Sequence, residues 1–355
     1  MAFIDDVLMK PSYGWRNADG TLSVPTSKQL WKEAFSRMNI FRTRKNWISF
    51  ASVAMMVLFM PFLYLFLFHF FSWQLLIAFV VYAMIIMGTH GTIWFHRYGT
   101  HKAYRFSHPF WRLLTQNLVV KTLPEEIYIV SHHVHHSKSD QPGDPYNARA
   151  GYLYCMLAEF NHQRIAPDLS EADYKKVVHF MQHTGAGLNN YQQYQRWGSV
   201  ASPGYTIGLW IVNWAFWATA FYFMGGIALV CTLFSAAFFW FVFVRAFNYT
   251  GHGKGEEKHV EGVDFDTSNL SVNQLRPGLF AGEWHNNHHL YPGSARAGFL
   301  SYQLDLPWIY IYTLYRLGAV SSYRDSKQEF LRKYVFAKAP AVQASKHNAG
   351  DHSLG

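Results

Sequence analysis

Two long apolar stretches, residues 47–95 and 205–247, constrain this chain more than anything else in it. From Trp47 to Phe71 there is no Asp, Glu, Lys or Arg. About 20 such residues suffice to cross a bilayer as a helix, which satisfies its own backbone polar groups where lipid offers no partners. Ser72 and Trp73 permit a tight turn, and a second apolar run continues from Gln74 to Phe95. The later block divides the same way, into Tyr205–Phe223 and Ile227–Phe247 around Gly225–Gly226. The expectation is an all-α integral membrane protein with four transmembrane helices in two hairpins and a helical cytosolic cap. The expected boundaries are an N-terminal arm (1–46), hairpin one (47–95), a first cap segment (96–204), hairpin two (205–247), a second cap segment (248–337) and a disordered tail (338–355).

Charge sets the orientation. The formal net charge is +9 with 19 histidines counted neutral. Both hairpin tips are uncharged, whereas Arg42, Arg44, Lys45, Arg97, Lys102, Arg196, Arg245 and Lys254 stand at the open ends. The positive-inside rule then places both termini and both cap segments in the cytoplasm, with a bacterial inner membrane as the expected location. No nucleic-acid motif accompanies the positive charge. The two cysteines, Cys155 and Cys231, form no CxxC, which excludes iron–sulfur, rubredoxin-type and disulfide frameworks. The first forty residues are polar and mixed, so the first span is expected to serve as the insertion signal. Within the polar parts, Pro11–Pro25 reads as loop and residues 28–40 as a short amphipathic helix. Phe106–Leu123 carries Arg112 and Gln116 and reads as an interfacial helix rather than a span.

All the histidine clusters fall on the cytoplasmic side. HRYGTH contributes His96 and His101, HHVHH contributes His132, His135 and His136, and HNNHH contributes His285, His288 and His289. In HxxHH the three histidines share one helix face, so their rings converge. Eight imidazoles exceed the four of a tetrahedral zinc site and suit two octahedral-leaning transition ions; imidazole suits iron. NYTGH adds His252 as a possible ninth ligand, with Asn248 one turn earlier placed to hold a metal-bound water. His133 lies off the face of its triplet. His90 reads as an outer neighbour of the site or as helix packing, and His69, His347 and His352 as bystanders. His108, His162, His179, His183 and His259 belong to no motif.

The order HxxxxH, HxxHH, NxxxH, HxxHH around two apolar hairpins resembles the membrane fatty acid desaturases, especially the stearoyl-CoA desaturase branch. The resemblance runs from about His90 to Leu317 and includes the DPxN turn (Asp144, Pro145, Asn147) and GEWHNNHHLYP. It implies a di-iron site bound by His96, His101, His132, His135, His136, His252, His285, His288 and His289, with Asn248 acting through water. It also implies O2 as co-substrate and hydrogen abstraction from a fatty acid or fatty acyl chain. Neutral imidazoles leave such a site highly cationic, so acidic partners are expected, with Asp140, Asp144 and Glu283 as candidates. The chain has no haem-binding cytochrome b5 module, no flavin motif and no cysteine cluster. The resemblance therefore implies a separate electron donor: ferredoxin, rubredoxin, or cytochrome b5 with its reductase.

The chain departs from that branch in two places. Acyl-CoA members carry a basic pair after the DPxN turn, where this chain has Arg149 alone, and IVSHHVHH stands where that branch has WARDHRxHH. A free fatty acid therefore enters as a candidate substrate, with Arg97, Lys102, Arg149 and Lys254 as candidate head-group cations. In YAMIIMGTH, Met84 and Met87 stand where small residues let a long chain pass, which points to a shortened tunnel or to ordinary packing. These departures open a second reaction, oxidative decarboxylation of medium-chain free fatty acids to 1-alkenes and CO2, as in some bacterial desaturase-like enzymes. Fatty-chain hydroxylation fits the order of the boxes less well. A metal transporter or sensor predicts ionisable residues inside the spans, which are nearly free of them.

Overall fold

The computed structural model describes residues 3–274 and 284–337. Glu283 and the expected tail lie outside the described residues. The protein is mostly helical. Helix α1 (Ser27–Met38) follows the Pro11–Pro25 segment and opens with a capping box between Thr26 and Gln29. The arm is not a free appendage. Buried Arg37 pairs with Glu33 at 2.7 Å and donates to the carbonyls of Met9 and Lys10.

Among the described residues, three helical runs are long and apolar enough to cross a membrane: Arg44–Phe68, Trp73–Thr100 and Pro203–Phe243. We call their α-helical parts α2 (Trp47–Phe68), α3 (Trp73–Ile86) and α4 (Pro203–Phe243). Ser72 caps α3, its hydroxyl accepting from the Leu75 N–H. The backbone of α4 is broken at Gly225 and Gly226, and Gly226 takes a left-handed φ of 66° that glycine adopts without steric cost. The Phe59 ring packs against both Trp214 (5.1 Å) and Phe234 (5.3 Å). Twenty residues of straight helix span about 30 Å, so the 41 residues of α4 exceed one crossing, and the run is interrupted at the two glycines.

The core fills the space between these runs, with Phe59, Phe66, Trp94, Phe95 and Phe241 almost fully buried. Outward side chains such as Phe68, Trp73, Val212 and Phe223 are exposed, as a lipid-facing surface requires. The second run does not stop at Phe95. It continues from α3 as a π-helix, Met87–Thr100, which carries His96 and is capped by His101. The fold is not purely helical: strands β1 (Tyr104–Phe106) and β2 (Val320–Tyr323) pair antiparallel and tie the end of the π-helix to the C-terminal part. The expected interfacial helix spans only Pro109–Gln116 (α5). The second box lies on α6 (Glu125–Lys138), which begins with Glu125 and Glu126, favourable charges at a helix N-terminus.

Candidate metal centre

The first box shows why its helix is π rather than α. Five residues of α-helix turn through about 500°, leaving residues i and i+5 roughly 140° apart. In a π-helix residue i+5 bonds directly to residue i, and the wider winding brings the two nearer to one face. The His101 N–H donates to the His96 carbonyl at 3.1 Å, and the Thr92 and Thr100 hydroxyls donate to carbonyls five residues back. The wider winding puts His96 and His101 on one face, with ring centroids 5.0 Å apart.

On α6, His132, His135 and His136 project together, while His133 leaves the site and stacks on Phe180 at 4.2 Å. The third box forms the short helix α7 (His285–Leu290). One turn cannot hold itself, and its two asparagines supply the anchorage. Buried Asn286 accepts from the N–H groups of Phe265 and Asp266 and donates to the carbonyls of Asp266 and Ser271. Asn287 donates to Ala297 and Gln303 and accepts from Asn273.

The nine histidines fall into two groups whose ring nitrogens lie within 4.8 Å of one another in each: His96, His101, His132, His136 and His288, and His135, His252, His285 and His289. Outer partners orient several rings. The His135 Nδ1 faces Asp144 at 2.9 Å and the His252 Nδ1 faces Asp140 at 2.8 Å. A carboxylate is an acceptor, so each Nδ1 carries the proton and each Nε2 presents a lone pair inward. Asp144 is itself held by the N–H groups of Asp140 and Tyr146, and Asp140 by that of Leu270. The His132 Nδ1 meets the Tyr146 hydroxyl at 2.5 Å.

The inward nitrogens fit metal ions and fit poorly with anything else on the chain. The Nε2 atoms of His101, His135 and His289 are buried without a partner. Nε2 atoms face one another at 2.9 Å (His96–His288 and His288–His136), 3.0 Å (His285–His252) and 3.2 Å (His136–His132). Unpaired buried acceptors cost about 1–3 kcal/mol each, and cations shared among the lone pairs remove that cost. Burial first, and then the neighbouring imidazoles, push His132, His135, His285, His288 and His289 well below the ordinary histidine range and His136 down to about 3. These six rings are thus held in the neutral form that ligates metal.

Other candidates stand differently. Asn248 is half-buried and accepts the His252 N–H through its carbonyl. Arg97 is not a free head-group cation: it is buried, paired with Asp305 at 2.8 Å, and donates to the Ala295 carbonyl. Lys102, Arg149 and Lys254 are exposed. Met87 accepts from the Trp240 indole at 3.2 Å, and His90 is buried between Phe95 and Trp240, outside both groups. The sequence reading did not single out Tyr146, Asn286 or Asn287. Their signal was position alone, one inside the DPxN turn and two inside the third box.

The fatty acid desaturase family profile matches residues 71–317. An sn-1 stearoyl-lipid 9-desaturase of Anabaena variabilis is 26% identical over 272 residues, covering 73% of this chain and 88% of the relative. The sn-1 stearoyl-lipid 9-desaturase of Synechocystis is 29% identical over 267 residues, covering 71% of this chain and 73% of its own. An icosanoyl-CoA 5-desaturase of Limnanthes douglasii is 26% identical, covering 71% of this chain and 66% of that protein.

Proposed function

The chain belongs to the fatty acid desaturase family, and from that membership and its histidine cage we propose that it is an O2-dependent, non-haem di-iron oxidase that forms a C=C bond in a fatty acyl chain. The observation that carries this reading is the pair of buried histidine groups with inward, unpartnered Nε2 atoms. The two histidine groups would hold one iron each, and Asn248 would complete the four-histidine group through water. Two irons in such a cage supply O2 activation and hydrogen-atom abstraction from an unactivated C–H. Asp140 and Asp144 keep His252 and His135 in the ligating tautomer. The four apolar segments cross the bilayer as two hairpins, and the cage faces the cytoplasm. A separate electron carrier supplies the electrons.

The acyl chain runs from the cage between the helices toward the membrane interior. Met87, tied to Trp240, stands on the π-helix nine residues before His96, where it would narrow this path. Met84 lies nearly a turn deeper on the same helix. A tail of limited length follows.

A second reading is favoured by one observation. Arg149 is the lone cation after the Asp144–Asn147 turn and it is exposed, so the grip on a CoA group is reduced. A free carboxylate then becomes the head group, and abstraction of a hydrogen atom beta to it, removal of a second electron with O2 as the oxidant and cleavage of the C–CO2 bond give a terminal alkene and CO2. One experiment tests both. Reduced, iron-loaded enzyme is given lauric acid and, separately, stearoyl lipid, and the products are analysed in headspace and extract. A monounsaturated product supports desaturation, whereas 1-undecene from lauric acid supports the second reading. Hydrogen peroxide alone, with both substrates unchanged, sinks both.

A further inference from the structure

A second polar site lies beside the cage but on the other face of the π-helix. A cavity of about 570 Å³ is lined by Lys102, Arg105, His108, Arg112 and His183, with Tyr98 as its wall and no carboxylate in the lining. Among the described residues none of Lys102, Arg105 and Arg112 makes an ion pair. Three cations gathered around one cavity without a counter-charge repel one another unless an anion sits among them.

The backbone positions them. Arg105 is carried on β1, opposite Ser322 of β2. The guanidinium of Arg112 packs on Gly185, whose φ is +74° and where an added Cβ would come within 2.3 Å of it. Tyr98 closes the wall by donating its hydroxyl to the His183 carbonyl at 2.8 Å. Lys102 donates to the His179 carbonyl at 3.3 Å. None of the nine cage histidines lines the cavity.

Its surroundings identify the occupant. Arg112 belongs to α5, whose Phe110, Leu113 and Leu114 are 56%, 57% and 44% exposed. An amphipathic helix of this kind rests in the headgroup layer, with its apolar side toward the acyl chains. A guanidinium fork and an ammonium at that depth match a phosphate, and anionic lipid is concentrated there on the cytoplasmic leaflet.

We propose that the cavity formed by Lys102, Arg105 and Arg112 binds the phosphate of an anionic phospholipid of the surrounding bilayer, at a site separate from the acyl substrate path. The site anchors the junction of π-helix, β1 and α5 at a fixed depth. It does not depend on which reaction the cage performs.

The test uses the full chain in a neutral detergent with equimolar phosphatidylglycerol and phosphatidylcholine, and native mass spectrometry reads which lipid is retained. Phosphatidylglycerol is retained preferentially. Arg105→Glu and Arg112→Gln each lower its retention by about fivefold or more, in line with the worth of one basic residue at an anionic surface. Arg42→Gln, a cation at the same membrane border outside the cavity, leaves retention unchanged. Exposed Arg105 also permits Arg105→Gln, should Arg112→Gln disturb the Gly185 contact. Equal retention of the two lipids, or equal loss from Arg42→Gln, overturns the proposal. Displacement of phosphatidylglycerol by an equal concentration of inorganic phosphate also overturns it, since the site would then take a free anion.

Discussion

The two histidine groups are built differently. The four-histidine group is braced by carboxylates, Asp144 behind His135 and Asp140 behind His252. The five-histidine group has no carboxylate behind its rings among the described hydrogen bonds. It depends on the π-helix that aligns His96 with His101 and on the Tyr146 hydroxyl behind His132. A carboxylate behind an imidazole raises its basicity and fixes its tautomer, whereas a phenol does so more weakly. One group thus gains its donor strength from outer charges and the other from ligand number and helix winding.

The largest expected effect comes from removing one ligand on each side. His288→Ala should empty the five-histidine group and His135→Ala the four-histidine group. Each variant should fall from two irons to about one and lose activity well beyond the roughly 100-fold that an outer-shell change costs. Metal analysis by mass spectrometry together with turnover checks this, and unchanged iron content would defeat the assignment.

Next come the braces. Asp140→Asn and Asp144→Asn should weaken iron at the four-histidine group by about 10–100-fold and spare the other group. Tyr146→Phe should act on the five-histidine group alone and by less. Competitive chelation, read separately for the two irons by Mössbauer spectroscopy, resolves them. Equal weakening of both irons by Asp140→Asn would erase the distinction between the groups.

Acid provides a third comparison. Folded His136 takes a proton only near pH 3, against an ordinary value of 6.5, because of burial and then the charges of His252 and His133. Between these values the unfolded chain binds a proton that the folded chain refuses. Stability present above pH 6.5 is therefore lost as pH falls toward 3. The unfolding midpoint of metal-stripped protein should be flat above pH 7 and decline across that window. A midpoint that rises on acidification would contradict the neutral cage.

The smallest effects separate scaffold from neighbour. Asn286→Ala leaves several backbone groups of the 265–271 segment unpaired and should cost about 3 kcal/mol. His133→Ala removes only a ring contact with Phe180 and should cost about 1 kcal/mol, with both irons retained. Thermal unfolding and iron content together read both.

Much of the candidate site was legible in the sequence because its residues recur at helical spacings. His132, His135 and His136 share a face by periodicity alone. The first box was not legible in that way, since an i, i+5 pair diverges on an α-helix and converges only when the helix widens. Arg97 read as a free cation beside the boxes, yet it finds Asp305 more than two hundred residues later. No local pattern announces such a partner. Asn286 and Asn287 stood between ligands in plain view, but their carbonyl and amide partners come from segments that meet them only in the folded chain.

By itself the sequence determined the long apolar runs, the break at Gly225–Gly226 and the shared face of the HxxHH histidines, because helix periodicity and backbone desolvation are local physics. Only the tertiary structure decided how nine rings divide into five and four, which Nδ1 atoms meet carboxylates and which cations remain unpaired. Those outcomes depend on contacts between residues far apart along the chain, and spacing does not encode distance across a fold.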